Sequence, residues 1–441
     1  MDSKKRTFDL KNPNDVNEIH RILFDDDSTE AEDFGDLSDT NSGDDLQVRD
    51  QDSETEQSNV DLSSEDENSD NETCYIAYQK NKGKTVDSYR WNKHPPSSRK
   101  KTSKQNVLIR LPGVIGDARK AQTNLDSWLL FIDESILNCI VKWTNQYIDL
   151  VRPEFTRARD ALSTDIIEIK AFIGLLYLAG VYRGSRLNVD DLWDINGDGV
   201  YRGSRLNVDD LWDINGDGIE TFRLTMSLSR FRILIRCIRF NNKETREERR
   251  KFHRLASIQD IFESFVANSQ KCYSFSDNVT LDEKLEAFRG RCIFRQYIPS
   301  KPAKYGIKIF ALVDSKVYYS YHMEIYAGKQ PEGPFAVSNK CTDVVRRMVS
   351  PIVNTGRNLT VDNWFSNVPL MKELADKKLS LVATLKKNKW EIPDELKKVG
   401  KRSDNSSIFG FCKEGTIVSY VPRKNKNVIL IPSLHFDEAI D

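Results

Sequence analysis

The sequence predicts a mixed α/β protein in which an all-α region precedes a core built on a β-sheet. Short β-branched runs bounded by turn residues cluster between residues 279 and 365, and apolar residues at helical spacing precede them. The pattern over residues 279–365 predicts the order strand, strand, strand, helix, strand. This order is typical of a sheet whose strands are connected through helices.

The first segment, residues 1–79, is predicted to be a disordered acidic tail. Between residues 25 and 72, twenty Asp and Glu stand against one base, for a net charge of −19. Residues 1–24 carry five bases and four acids, and the whole chain has a net charge of −1. The other 369 residues therefore carry +17, which favours a polyanionic partner for the body of the protein.

Residues 80–125 are predicted to form a basic linker or arm. From Lys80 to Lys104, nine Lys and Arg stand against a single acid, Asp87. The segment R-K-K-T-S-K is typical of a nuclear localisation signal or of an arm that contacts phosphates, and a solvated linker is an equally good interpretation.

Residues 126–278 are predicted to form the all-α region. The segment D-I-I-E-I-K-A-F-I-G-L-L-Y-L-A-G has helical spacing and opens with Asp165 and Glu168 in capping-box positions. A later helix, S-R-F-R-I-L-I-R-C-I-R-F, carries arginines that either track a DNA backbone or are solvated. These are Arg230, Arg232, Arg236 and Arg239.

A 19-residue segment occurs twice without change, at residues 181–199 and 200–218. Solenoid arrays have more units and tolerate drift between them, so two identical copies indicate a recent duplication or a gene-model error. We expect one copy to fit the fold and the other to loop out with an exposed Leu and Trp.

Two aspartates of the core region end strand-like runs. Asp282 follows V-T-L and Asp362 follows L-T-V, so a central sheet would bring both carboxylates to one edge. Paired carboxylates are the oxygen ligands that Mg²⁺ prefers. Glu283 would point to the opposite face of its strand. For an isolated Asp at a strand end, a cap or turn role is the more common alternative.

The segments D-E-K-L-E-A-F-R-G-R-C-I-F-R-Q-Y-I-P-S-K-P-A-K-Y-G-I-K and V-D-N-W-F-S-N-V-P-L resemble the piggyBac transposase family and its domesticated derivatives. The resemblance extends from about Trp91 to the last residue. It implies an RNase H-like core over residues 279–441, a preceding helical domain used for dimerisation and DNA contacts, and a nuclear location. It also implies a DDD-type site for DNA strand cleavage and transfer, in which Asp282 and Asp362 are catalytic and bind Mg²⁺ or Mn²⁺.

The implied partner is DNA, either transposon ends or genomic DNA, and a homodimer is implied through the helical region. Basic residues near the two aspartates are the candidate DNA contacts: Arg289, Arg291, Arg295, Lys301, Lys304, Lys308, Lys386, Lys387 and Lys389. No apolar run predicts a membrane span, and no motif predicts a small-molecule substrate. The seven cysteines form no C-x-x-C pair, which argues against a zinc ribbon or a disulfide framework.

The third catalytic Asp of the family lies in a G-G-V-D-like segment that this sequence does not reach. The sequence ends in N-V-I-L-I-P-S-L-H-F-D-E-A-I-D, which is similar to the strand region upstream of that segment. We therefore expect an RNase H-like core that lacks its C-terminal part, and impaired strand transfer by this chain. The alternatives are a domesticated DNA-binding protein without chemistry and a fragment that does not close its core.

Overall fold

The computed structural model describes residues 73–81, 84–96, 107–182, 210–214, 218–290, 292–400 and 402–438. They form two compact units. One is helical and contains the described residues within Ile132–Lys251 and Leu255–Phe265. The other contains the sheet and comprises the described residues within Leu46–Phe131, Phe252–Arg254 and Val266–Asp441.

The strands, in chain order, are β1 (Cys74–Asn81), β2 (Lys84–Asn92), β3 (Gly113–Val114), β4 (Tyr273–Ser274), β5 (Asn278–Ala287), β6 (Gln296–Tyr297), β7 (Tyr305–Asp314), β8 (Ser320–Ile325), β9 (Asn358–Val361), β10 (Ser380–Leu385), β11 (Ser406–Phe411), β12 (Thr416–Arg423) and β13 (Lys426–Pro432). The α-helices are α1 (Asn124–Leu129), α2 (Glu134–Val151), α3 (Ile166–Tyr182), α4 (Glu220–Thr225), α5 (Leu228–Cys237), α6 (Arg246–Arg250), α7 (Gln259–Cys272), α8 (Cys341–Val349), α9 (Val368–Asp376) and α10 (Asp394–Lys397). Short 3-10 helices occupy Gly116–Lys120, Arg152–Glu154, Ala158–Ala161, Asp210–Trp212 and Ser350–Ile352.

The predicted mixed α/β class is confirmed. Eleven strands form one sheet in the order β1-β2-β11-β12-β13-β10-β9-β5-β7-β6, and β8 also pairs with β7. β9 is parallel to both of its neighbours, β5 and β10. One face of the sheet is apolar and packs against α8 and α9 to form the main core of this unit.

Helices α2 and α3 begin at side-chain caps, and the cap of α3 at Asp165 is the one that the sequence predicts. The carboxylate of Asp133 accepts a hydrogen bond from the backbone N–H of Ile136 (2.9 Å), and that of Asp165 accepts one from the N–H of Glu168 (2.8 Å). Such caps satisfy backbone donors that have no partner inside the helix. The predicted helical region therefore does form helices with defined starts.

Arg230 on α5 and Arg239, two residues after the end of α5, bind groups inside the helical unit. Arg230 forms a bidentate ion pair with Glu168, with N–O distances of 2.7 and 2.6 Å. The guanidinium of Arg239 lies 3.6 Å from the centre of the Tyr147 ring, a short cation–π contact. Since neither side chain is simply solvated, we assign both to holding the helices together.

The second copy of the repeated segment contributes to the core of the helical unit. Leu211 is fully buried and Trp212 is 7% exposed. The indole N–H of Trp212 donates to the carbonyl of Met226 (2.8 Å). Leu192 and Trp193, the matching residues of the first copy, lie outside the described residues, so the predicted loop-out stays a prediction.

The β1–β2 hairpin lies where the end of the acidic tail and the start of the basic linker were expected. Its strands pair with each other in antiparallel register, and β2 joins the sheet through Asn92 and Phe411. Ala77 and Trp91 are buried, so alternate side chains of this segment reach the core and order it. Residues 1–72 lie outside the described residues, and their disorder stays a prediction.

All seven cysteines are unpaired thiols, in agreement with the scattered spacing in the sequence. Among the described helices, none combines the length and the apolar character that crossing a membrane requires.

Candidate functional site

The two candidate aspartates lie on neighbouring strands at the centre of the sheet. Asp282 is in the middle of β5, and Asp362 follows the last residue of β9. The β-branched and aliphatic residues before each aspartate favour strands. In β5 they alternate in burial, since Val279 and Leu281 are fully buried and Asp282 is exposed.

The parallel register of β5 and β9 places Asp282 and Asp362 side by side. The last pair in the ladder is Leu281 with Val361, so the next residue on each strand is an aspartate. Leu281 and Val361 face the core, and successive side chains of a strand alternate, which directs Asp282 to the opposite face. Asp362 is the first residue after β9. Neighbouring strands lie about 4.8 Å apart. The register therefore brings Asp282 and Asp362 close together. The expectation that both aspartates end their strands holds for Asp362 and is wrong for Asp282, because β5 continues to Ala287.

Each aspartate is oriented by a backbone hydrogen bond. Oδ1 of Asp282 accepts from the N–H of Glu283 (2.8 Å), and Oδ1 of Asp362 accepts from the N–H of Trp364 (2.8 Å). In the part of the chain that the structure describes, no group of three or more His, Cys, Asp or Glu could hold a metal ion. Among the described residues, the candidate site thus consists of two carboxylates and not of a larger set of metal ligands.

Asp314 shows what a purely structural strand-end aspartate looks like in the same sheet. It is fully buried, and it accepts hydrogen bonds from Ser276 N (2.6 Å), Ser276 Oγ (2.9 Å) and Lys316 N (2.8 Å). Burial by itself raises the pKa of Asp314, but these hydrogen bonds outweigh it and hold the pKa below its usual value. Asp282, by contrast, is exposed, which leaves it accessible to a ligand.

A basic segment follows β10 at the edge that carries Asp362. Because β10 is parallel to β9, the residues after β10 leave the sheet at the same end as Asp362. Lys386 and Lys387 are exposed there, and Lys389 is half-buried. Their positions suit contacts with the phosphates of a substrate strand that reaches the aspartates.

Lys301 and Lys308 have partners inside the protein. Nζ of Lys301 donates to the backbone carbonyl of Glu283 (3.2 Å) and lies 3.8 Å from its Oε1. Nζ of Lys308 lies 5.0 and 4.9 Å from the ring centres of Phe310 and Trp364. We therefore expect these lysines to contribute less to DNA binding than exposed ones do, and their assignment as DNA contacts stays a prediction.

Three residues next to the aspartates in sequence are buried or half-buried. Glu283 is buried, which agrees with its predicted orientation away from Asp282. Phe365 is fully buried, and Trp364 stacks on Phe310 with ring centres 5.8 Å apart and ring planes 14° apart. Core packing, the favoured interpretation for both aromatic residues, is thus what the structure shows.

The other predicted DNA contacts lie around the turn between β5 and β7. Arg289 and Arg295 are exposed, and Nη1 of Arg295 donates to the carbonyls of Arg289 and Gly290 (3.0 Å each). Lys304 is exposed and has a φ of 54° in the turn before β7. Arg291 lies outside the described residues.

Comparison with known proteins decides the family. The family model described as transposase IS4 matches residues 124–202 and 199–439. The chain belongs to this transposase family. The two matched segments meet at residues 199–202, at the junction of the repeated segments, so each copy lies in a different match.

Among solved structures, this transposase-family chain is similar to piggyBac transposase in a cryo-EM structure of its synaptic complex with hairpin DNA. The TM-score is 0.62 and the sequence identity is 33%. The match covers 75% of this chain and 65% of that chain, so this chain spans about two thirds of the length of the piggyBac protein. The resemblance seen in the motifs is therefore confirmed.

The chemistry of the aspartate pair fits a divalent metal ion, which the family resemblance implies. Asp282 and Asp362 offer carboxylate oxygens only, and hard cations such as Mg²⁺ and Mn²⁺ prefer oxygen ligands. Asp282 is exposed and Asp362 is half-buried, so water can supply further oxygen ligands. A zinc site would use His or Cys, and neither residue type adjoins the aspartates in sequence.

Proposed function

We propose that this transposase-family chain binds DNA along the sheet edge that carries Asp282 and Asp362, and that the two carboxylates hold Mg²⁺ or Mn²⁺ there. The observation that carries the proposal is the parallel register of β5 and β9, which pairs Leu281 with Val361, the residues directly before the two aspartates. The similarity to a transposase whose solved structure contains hairpin DNA supports DNA as the partner.

In this proposal, the two aspartates bind the metal ion and the exposed lysines bind DNA phosphates. Bound at the aspartate pair, a divalent ion would supply charge stabilisation at a phosphate and activation of an oxygen nucleophile. Asp282 and Asp362 would hold that ion, with one oxygen of each carboxylate already oriented by a backbone N–H. Exposed lysines at the same edge would bind the DNA backbone and set its position.

Replacing both Lys386 and Lys387 by glutamine is expected to weaken duplex binding and to make it less dependent on salt. Each lysine that neutralises a phosphate contributes about 0.9 to the slope of log K against log salt concentration, so the double variant should lower the slope by up to about 1.8. Fluorescence anisotropy titrations of the full chain with a labelled duplex, repeated over a range of salt concentrations, measure this change.

The matched control is the double variant Lys316→Gln and Lys378→Gln. Both residues are exposed, and they lie at the opposite edge, because Lys316 follows β7 and Lys378 precedes β10. The control should bind like the wild-type chain. A slope that falls equally in both double variants would mean that the protein attracts DNA by general charge and not at the aspartate edge.

Strand cleavage by this chain alone is expected to be weak. Two carboxylates supply few of the ligands that a pair of metal ions needs, and in-line attack requires a tightly held constellation. The test is cleavage of a nicked or hairpin DNA with Mg²⁺ or Mn²⁺. Robust turnover that disappears in Asp282→Asn and Asp362→Asn would contradict this expectation and establish an active nuclease site.

The alternative function is a domesticated DNA-binding protein that carries out no chemistry. Weak cleavage together with salt-dependent duplex binding would favour it over an active transposase. Under either function, we propose a nuclear location, which the R-K-K-T-S-K segment supports. We also propose a homodimer formed through the helical unit.

A further inference from the structure

Two tyrosines pair across the short hairpin formed by β6 and β7, beyond the end of β5. Tyr297 in β6 and Tyr305 in β7 are direct cross-strand partners. Their ring centres are 4.6 Å apart, and the ring planes differ by 36°. Tyr297 is 52% exposed and Tyr305 is 37% exposed. The sequence alone assigned them no role, although both flank the turn in the segment Y-I-P-S-K-P-A-K-Y.

The backbone around the pair is tightly constrained. The N–H of Ile298 donates to the carbonyl of Lys304 (2.7 Å), which closes the turn between β6 and β7. Gly306 pairs with both β5 and β6, and an added Cβ there would lie 2.1 Å from the carbonyl oxygen of Glu286. A glycine at this position therefore permits the close approach of the strands that places the two rings side by side.

Cationic groups flank the tyrosine pair. The guanidinium carbons of Arg289 and Arg295 lie 5.8 and 5.4 Å from the centre of the Tyr305 ring. Both distances are within the range of cation–π contacts. Exposed rings bordered by arginines are the combination with which proteins bind unpaired bases, because the rings stack on the bases while the arginines neutralise the adjacent phosphates.

We propose that Tyr297 and Tyr305, with Arg289 and Arg295, form a stacking platform for unpaired bases of the DNA that reaches the aspartate edge. This inference rests on the proposed function, since it takes DNA as the partner. β5 continues for five residues from Asp282 to its end at Ala287, a distance of about 17 Å at the rise of a strand. The platform would therefore bind nucleotides a few positions away from the phosphate at the metal site.

The stacking of bases on exposed rings explains why single-stranded or distorted DNA is the favoured ligand. Bases in an intact duplex are stacked on each other and hide their faces, whereas an unpaired base exposes both. The tyrosine pair contributes no carboxylate or amide that could read base edges, so the platform should tolerate any base sequence. Charge on the flanking arginines alone would bind duplex and single strand through their phosphates.

The test compares single-stranded DNA with duplex DNA of the same length, using the full chain. Tyr297→Ala and Tyr305→Ala should each weaken single-strand binding by about 5- to 150-fold, the range expected for losing one base–aromatic stack. Duplex binding should change by less than about twofold, because the arginines remain. Tyr297→Phe and Tyr305→Phe keep the ring and should bind like the wild-type chain. A 2-aminopurine base in the strand reports stacking through its fluorescence, which should be quenched by the wild type and the Phe variants only.

The control is Tyr78→Ala, which removes a tyrosine that is 50% exposed on β1, far along the sheet order from β6. It should leave single-strand binding unchanged. Single-strand binding that is normal in both Ala variants would overturn the platform, as would equal losses for duplex and single strand. Tighter binding of an RNA strand of the same sequence would overturn DNA as the ligand. Failure of the wild-type chain to bind any DNA would instead overturn the proposed function itself, and the two failures are thus distinguishable.

Discussion

Asp282→Asn and Asp362→Asn should each weaken Mn²⁺ binding by about 100-fold or more. Losing an outer-shell partner of a metal ligand already lowers affinity by about 10- to 100-fold, and here one of two direct anionic ligands is lost. Asparagine keeps an oxygen that can accept the hydrogen bond from Glu283 or Trp364. The local turn should therefore survive, so that the effect reports on charge and ligation. Calorimetric or electron paramagnetic resonance titrations with Mn²⁺ measure it without any need for catalysis.

Glu286→Gln is the matched control for the two aspartate variants. Glu286 is an exposed acid on the same strand and the same face as Asp282, about 13 Å further along at the rise of a strand. It should be too distant to share a metal ion with Asp362, so Mn²⁺ affinity should stay at the wild-type value. Equal losses of Mn²⁺ affinity in all three variants would indicate that acidic residues attract cations in general. The proposed metal site would then be wrong.

The strands that carry the two aspartates could be predicted because strand preference depends on residues that are close in sequence. The runs before Asp282 and Asp362 are rich in β-branched and aliphatic residues, which favour strands. Each run contains alternating buried positions that fix the face on which the following aspartate lies. Once two such strands are parallel neighbours, their register brings the aspartates together. The pattern predicts the face of Asp282 but not its place in the middle of β5, and the parallel pairing itself is visible only in the folded chain.

The directions of the basic side chains could not be predicted in the same way. Lys301 and Lys386 are both lysines in polar segments near the aspartates, yet the first is bound to Glu283 and the second is exposed. That difference depends on how the turn between β6 and β7 folds back on β5. Because the partners are distant in sequence, residue type and spacing do not reveal them.

The β1–β2 hairpin illustrates the same limit on a larger scale. Its residues are basic and close to Pro95 and Pro96, a composition that is typical of a linker. The indole N–H of Trp91 nevertheless donates to the carbonyl of Glu391, 300 residues away, at 3.0 Å. A contact of such long range comes from the tertiary fold, which overrides the local preference of the segment.

Trp91→Ala should therefore lower the free energy of unfolding of the sheet unit by about 3–5 kcal/mol, the usual range for truncating a buried aromatic residue. Trp91 is fully buried, and its ring packs against Tyr89 with centres 5.0 Å apart. Truncation would open a cavity and leave the carbonyl of Glu391 without its indole donor. Urea unfolding followed by circular dichroism measures the change in the transition of the sheet unit.

Tyr78→Ala in the same hairpin separates loss of core packing from general damage to β1 and β2. Because Tyr78 is half exposed, its truncation should change the free energy of unfolding by less than about 0.5 kcal/mol. Trp91→Phe should fall between wild type and Trp91→Ala, since it keeps a ring but removes the indole donor. If Trp91→Ala were as stable as Tyr78→Ala, residues 74–92 would be a dispensable arm attached to the sheet. A large difference would make them an integral part of the fold that supports the aspartate edge.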